Sequence, residues 1–147
     1  DVAMMCKLGF DIGIADMTAD EQAFCQEAVK NFKRLSPVIL QGDFYRLVSP
    51  YETNHAAVVH VGKDKRKAVL YAYDLYPRFG EKLFPVKLQG LNPVKNYKIE
   101  EINLMPGHQS DLTAHGKIYS GDFLMKVGID VFTGNKTHSR ILEITAQ

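Results

Sequence analysis

The stretch Gly42-Asp43-Phe44-Tyr45-Arg46-Leu47-Val48 decides the fold, because the texture of the chain changes there. Before it, apolar residues recur with a helical period. After it, they fall into short runs separated by Gly, Pro, Asn and Asp. A helical period marks an amphipathic helix, and short apolar runs between turn formers mark strands.

Upstream, Thr18 and Glu21 have the T-x-x-E spacing of a capping box. Asp20 and Glu21 sit in the first turn, and Lys30, Lys33 and Arg34 follow in the last, as the helix dipole favours. Phe24, Ala28, Phe32 and Leu35 fall on one face, and Pro37 is expected to end the helix. Burying the two Phe and the Leu of that face is worth on the order of 5 kcal/mol before entropy. A cover is therefore required, either the chain's own β-region or a second copy. Earlier still, Val2-Ala3-Met4-Met5 reads as a short strand buried on both faces, followed by a loop with Gly9, Gly13 and Asp16.

Downstream, strands are expected at Phe44–Val48, Ala56–Val61, Lys67–Leu75, Phe84–Leu88, Tyr97–Asn103, Val131–Phe132 and Arg140–Thr145. The turns fall at Gly62-Lys63-Asp64, Arg78-Phe79-Gly80, Gly90-Leu91-Asn92-Pro93 and Gly134-Asn135. Ser120 to Gly128 reads as one helical turn, capped by Ser120 and stopped by Gly128. The fold class is mainly β: an antiparallel, Greek-key-like β-sandwich over residues 42–147. Residues 1–41 precede it as one strand and helix, the tail of an α/β unit.

The chain has 147 residues, too few for a complete (β/α)8 barrel of roughly 250. Its 18 Lys and Arg against 17 Asp and Glu leave a formal charge of +1, which gives no electrostatic reason to expect nucleic acid or an anionic membrane as partner. No apolar run approaches the roughly 20 residues of a membrane span. Asp1 to Ile14 lacks a signal-peptide pattern, so a targeting signal, if any, would lie upstream, and the compartment stays open between cytoplasm and periplasm.

Little in the sequence carries chemistry of its own. Cys6 and Cys25 read as small apolar groups. The five His residues lack H-x-x-x-H or H-E-x-x-H spacing, so no metal and no cofactor is expected. No Ser lies in a G-x-S-x-G elbow. The carboxylates Asp11, Asp43, Glu52, Asp74, Glu100, Glu101, Asp122 and Asp130 offer no pair by spacing. Asp11 has the best position, because it follows a strand and barrel active sites gather at the C-terminal ends of strands. A binding-module reading would draw on Tyr51, Tyr71, Tyr73, Tyr76 and Tyr97, since Trp is absent.

Four phrases in order resemble the C-terminal end of bacterial α-galactosidases of glycoside hydrolase family 36. They are Gly42-Asp43-Phe44-Tyr45-Arg46-Leu47 with Ser49-Pro50-Tyr51-Glu52-Thr53-Asn54, Asp64-Lys65-Arg66-Lys67-Ala68-Val69-Leu70, Leu88-Gln89-Gly90-Leu91-Asn92-Pro93, and Tyr119-Ser120-Gly121-Asp122-Phe123-Leu124-Met125. Met4 through Asp11, with the capped helix, resembles the last strand and helix of that family's barrel.

The resemblance implies a retaining hydrolase of terminal α-galactosides, using two Asp residues and an oxocarbenium-like transition state. Both Asp residues belong to phrases on earlier barrel strands, and neither phrase occurs here. No catalytic residue is therefore assigned, and this chain alone is expected to be inactive. Cys6 stands where a small residue such as Gly is expected, so Cys6 and Asp11 are the substrate-binding candidates. The implied partners are the catalytic barrel, an α-galactoside through the whole enzyme, and a second copy of the chain. The alternative is an independent carbohydrate-binding or oligomerisation module.

Overall fold

The computed structural model describes residues 1–133 and 138–147. The chain opens with two short 3-10 turns, Ala3–Met5 and Ile14–Asp16. Helix α1 spans Ala19–Gln41 and is followed by β1 (Asp43–Val48), β2 (His55–Val61), β3 (Lys67–Asp74), β4 (Asn96–Ile102) and β5 (Ile118–Ser120). Helix α2 (Gly121–Lys126) and strand β6 (His138–Ala146) complete it. The strands form one antiparallel sheet in the order β1-β2-β3-β6-β4-β5, so β6 returns to lie between β3 and β4.

Helix α1 begins at the capping box. The Glu21 amide donates to the Thr18 hydroxyl at 3.3 Å, and the Thr18 amide donates to the Glu21 carboxylate at 2.8 Å. The expected stop at Pro37 is not observed, because the helix runs on to Gln41. Pro37 has no N–H to give to the Lys33 carbonyl, four residues back. The Ser36 hydroxyl donates to that carbonyl instead, at 3.0 Å, so the acceptor is not orphaned. The helix stops at Gly42, where the chain passes too close to other backbone for a side chain. A Cβ there would lie 2.3 Å from the Val38 carbonyl oxygen and 2.6 Å from that of Val61.

The two sheet faces bury different partners. Side chains alternate along a strand, so Ala68, Leu70 and Ala72 of β3 face one way and Val69 and Tyr71 the other. The second set packs with Met4, Leu35 and Ile39, which places α1 and the first 3-10 turn on that face. The helix thus covers its own sheet. Ala28, Asn31, Leu35 and Ile39 are its buried residues, while Phe24 and Phe32 are half-buried at its flank. Apolar residues without alternation in β3 are the mark of a strand buried on both sides.

The first set packs under a layer of loops and α2, through Val86, Leu88, Leu91, Leu112, Leu124, Ile129, Val131 and Phe132. Of the expected strands, Phe84–Leu88 is reduced to an isolated bridge between Val86 and Ile129, and Val131–Phe132 has no ladder. Short β5 is the strand that the sequence pattern did not mark. Val2–Met5, expected as a strand, is a 3-10 turn closed by the Met4 and Met5 amides on the Asp1 and Val2 carbonyls. Without a neighbouring strand its donors find local acceptors instead. The Ser120 cap is observed, accepting from the Phe123 amide at 3.1 Å, and Gly128 ends that turn with φ +89°. The expected Gly134-Asn135 turn lies outside the described residues.

Candidate functional site

An open apolar groove lies at the N-terminal flank. Phe10, Ile12, Ile14 and Met17 form one wall, and Cys25 and Val29 of α1 form the other, around a groove of about 530 Å³. Ile14 is 74% exposed and Ile12 52%. Gln22 ties the wall to the helix by donating from its side-chain amide to the Met17 carbonyl at 3.1 Å. Exposed apolar surface of this kind marks an interaction site. Cys6 and Asp11 lie in the same N-terminal segment. Both are exposed, Cys6 as a free thiol at the end of the first 3-10 turn and Asp11 between two apolar residues of the wall. Cys25 is also a free thiol, half-buried on α1.

Three polar clusters are built into the sheet. In the first, His55 Nδ1 lies 2.7 Å from the Asp74 carboxylate, and the other Asp74 oxygen accepts from the Thr133 amide at 2.8 Å and the Thr133 hydroxyl at 2.7 Å. The His55 ring stacks on Phe132 at 4.4 Å and is closed from solvent, with its Nε2 3.7 Å from Glu81. An imidazole oriented by a carboxylate is the base half of a nucleophilic triad. Here the hydroxyl of Thr133 serves the carboxylate, and the ring is sealed beneath Phe84 and Phe132. The cluster therefore clamps the loops at this end of the sheet.

In the second, buried Arg140 gives two hydrogen bonds to Glu101, at 2.9 and 3.0 Å, and one to Asp111 at 2.6 Å. Ser110 donates to Glu101 as well. The guanidinium holds the Asp111 carboxyl below the usual carboxylate range. In the third, burial would push the Glu143 carboxyl up. Its bonds to Arg34 and Lys67 outweigh that and hold it below the usual glutamate range.

The remaining carboxylates singled out in the sequence are mostly held by cations. Asp43 pairs with Lys63, Glu100 with Lys98 and Asp122 with Lys126. Glu52 and Asp130 are exposed. Of the tyrosines, Tyr71 and Tyr97 are core residues, Tyr73 is half-buried, and Tyr51 and Tyr76 stand exposed. Among the described residues, no group of three or more His, Cys, Asp and Glu is arranged to hold a metal ion. No helix among them is long and apolar enough to cross a membrane. Sequence reasoning missed the His55–Asp74 and Glu101–Arg140 pairs and the wall of Phe10, Ile12 and Ile14.

A six-stranded antiparallel sheet carrying one long helix, with an open apolar groove beside that helix, defines a mainly β domain. The chain belongs to the family described as the glycosyl hydrolase family 36 C-terminal domain, whose model matches residues 55–144. It is similar to probable alpha-galactosidase G of Aspergillus terreus, 27% identical over 99% of this chain and 18% of that protein. It is also similar to alpha-galactosidase 1 of Pediococcus pentosaceus, 31% identical over 86% of this chain and 16% of that protein.

Among solved structures, the GH36 alpha-galactosidase AgaB of Geobacillus stearothermophilus superposes with a TM-score of 0.82 at 26% identity, covering 99% of this chain and 18% of AgaB. A variant of AgaA from the same organism, in complex with raffinose, superposes with a TM-score of 0.81 at 25% identity, with the same coverage. The chain thus spans less than a fifth of the length of these relatives and corresponds to their C-terminal part.

Proposed function

We propose that this chain is the C-terminal structural part of an α-galactosidase, and that its α1 flank docks against a catalytic (β/α)8 barrel. The observation that carries the reading is the apolar groove of Phe10, Ile12, Ile14 and Met17 beside α1. The sheet already has its own cover on both faces, so a barrel would be met by a surface outside the sheet such as this flank. Raffinose bound to a structural neighbour supports an α-galactoside as the substrate of the whole enzyme.

In this reading the barrel supplies both catalytic Asp residues of a retaining mechanism with an oxocarbenium-like transition state. Residues 1–41 close the barrel and residues 42–147 form the β-domain. Cys6 and Asp11, exposed on the segment leading into the wall, approach the sugar pocket, where the Cys6 side chain narrows it.

The test compares the chain alone with the chain joined to the polypeptide encoded before Asp1, using a nitrophenyl α-galactoside. The chain alone is expected to show no turnover, and the joined protein to hydrolyse the substrate. Ile14→Asp in the joined protein should weaken docking and lower activity and melting temperature together. Turnover by the chain alone, abolished by a substitution of one of its own Asp residues, would overturn the reading. A second reading, an oligomerisation module, is favoured by Tyr51, Tyr76 and Phe79, which stand exposed on loops joined through Asn54. A concentration-dependent mass lost on Phe79→Ala would select it.

A further inference from the structure

A second cleft, on the opposite side of the sheet from the groove, has a different chemistry. It has a volume of about 360 Å³, within the ~300–1,000 Å³ of small-molecule sites. Its floor is aromatic: the rings of Tyr119 and Phe123 stack at 5.2 Å with only 15° between their planes. Phe123 is 38% exposed and Val127 49%. At the rim stand Thr113 and Asp130, both exposed. Among the described residues, neither the Thr113 hydroxyl nor the Asp130 carboxylate has a hydrogen-bond partner. Asp130 is the one charged group among the residues that line the cleft.

The platform is held rigidly. The Phe123 amide is capped by Ser120, and the Leu88 amide donates to the Leu124 carbonyl at 2.9 Å. Beside it, Val86 and Ile129 exchange two hydrogen bonds, at 2.8 and 3.1 Å. Gly128 lets the backbone close in, since a Cβ there would meet the Val86 oxygen at 2.5 Å. Leu124 packs in the cluster on the sheet face away from α1, so a body covering the α1 groove leaves this cleft open.

We propose that this cleft is a non-catalytic binding site for a neutral oligosaccharide. The face of an aromatic ring is the negative side of its quadrupole and attracts the C–H groups of a pyranose. Phe123, the more exposed ring of the stacked pair, supplies that face with Tyr119 behind it, and Asp130 and Thr113 take the sugar hydroxyls. An anion is disfavoured by Asp130, and a hydrocarbon ligand would leave the rim groups without partners. The proposal stands independently of the docking of the barrel.

Stachyose titrated by calorimetry into the intact protein tests it, with any catalytic centre first saturated by 1-deoxygalactonojirimycin. One site with a millimolar constant is expected. Phe123→Ala should weaken it about tenfold, the equivalent of ~1.4 kcal/mol, and Asp130→Asn, at an exposed carboxylate, several-fold with an unchanged melting temperature. Flat heats in the unsubstituted protein, or heats that survive both substitutions, would overturn the site. A sedimentation mass that falls on Phe123→Ala, with flat heats, would show that a second copy covers the cleft and would equally overturn it. If the inhibitor itself does not bind while the Phe123-dependent heat remains, the galactosidase reading fails and this one stands.

Discussion

The imidazole of His55 and the carboxylate of Asp74 face each other across the β2–β3 hairpin, 2.7 Å apart and both closed from solvent. Asp74 is the hub of the cluster, because its second oxygen also holds the Thr133 amide and hydroxyl. Removing it strands three donors at once, the buried imidazole N–H of His55 and the amide and hydroxyl of half-buried Thr133. A buried group left without its partner costs ~1–3 kcal/mol, and more where charge is involved. Asp74→Ala is therefore expected to lose about 4 kcal/mol, and Asp74→Asn about half of that, because the amide oxygen still serves Thr133. Urea unfolding measures both, and an Asp74→Ala midpoint equal to that of the unsubstituted chain would remove the clamp from the account.

Arg140 and Glu101 form the other closed pair, with side chains 5% and 2% exposed. Breaking such a pair leaves one buried charge uncompensated, at a cost of about 3–5 kcal/mol. Replacing both partners with apolar residues removes the problem with the charge. Arg140→Ala should destabilise strongly, while Arg140→Met combined with Glu101→Leu should recover most of the loss. Thermal melts of the two single variants and the double variant give the coupling. Additive losses would mean that the pair does not act as a unit.

How far the sequence carried the fold can be argued from particular residues. The strands β1, β2, β3, β4 and β6, the capping box and the Ser120 turn follow from local patterns that the structure keeps. Pro37 misled because the hydroxyl that replaces its missing donor belongs to its neighbour, Ser36, a contact invisible to propensity. Val2–Met5 has strand-like residues but no strand beside it, and a ladder cannot form from one side. The His55–Asp74 pair was hidden by register: the Gly62-Lys63-Asp64 turn read from the sequence would pair Val61 with Lys65 and set His55 opposite Tyr71, whereas the loop is longer, Val61 pairs with Ala68, and His55 meets Asp74. The Glu101–Arg140 pair was hidden for another reason, because β6 returns beside β4 only through the topology. The apolar wall and the aromatic cleft were also hidden, since each joins segments that no spacing relates.

Glu143 makes stability depend on acid. Its folded carboxyl titrates below the ordinary value of 4.5, because Arg34 and Lys67 outweigh the burial. A depressed carboxyl gives stability that is present above the unfolded value and is lost as pH falls through the folded one. The midpoint should thus hold from neutral pH down to about 4.5 and then fall. Glu143→Gln should lower the plateau and flatten the fall. Asp111 works in the same direction through Arg140, but its exposure to solvent makes its share small. Urea midpoints at stepped pH test this, and a Glu143→Gln curve parallel to that of the unsubstituted chain would assign the acid loss to other groups.

At the alkaline end, Tyr71 and Tyr73 set the limit. Burial raises both phenols, Tyr73 to about 12 and Tyr71 further still, where the neighbouring Tyr73 and Cys6 charges add to the effect. The Tyr71 hydroxyl donates to the Met4 carbonyl at 3.1 Å, so ionising it also unpicks the first turn from the sheet. A group raised on folding gives stability that is complete below its unfolded value and is lost as pH rises through the folded one. The unfolded chain ionises first, near the ordinary value of 10, so stability should decline from there upward. Tyr73→Phe should make that decline shallower, and Tyr71→Phe should do the same at the cost of the Met4 bond. Tyrosinate absorbance followed beside circular dichroism gives the order of events. Both tyrosines should ionise only as the sheet signal is lost, and complete ionisation of all seven tyrosines with the sheet intact would contradict their burial.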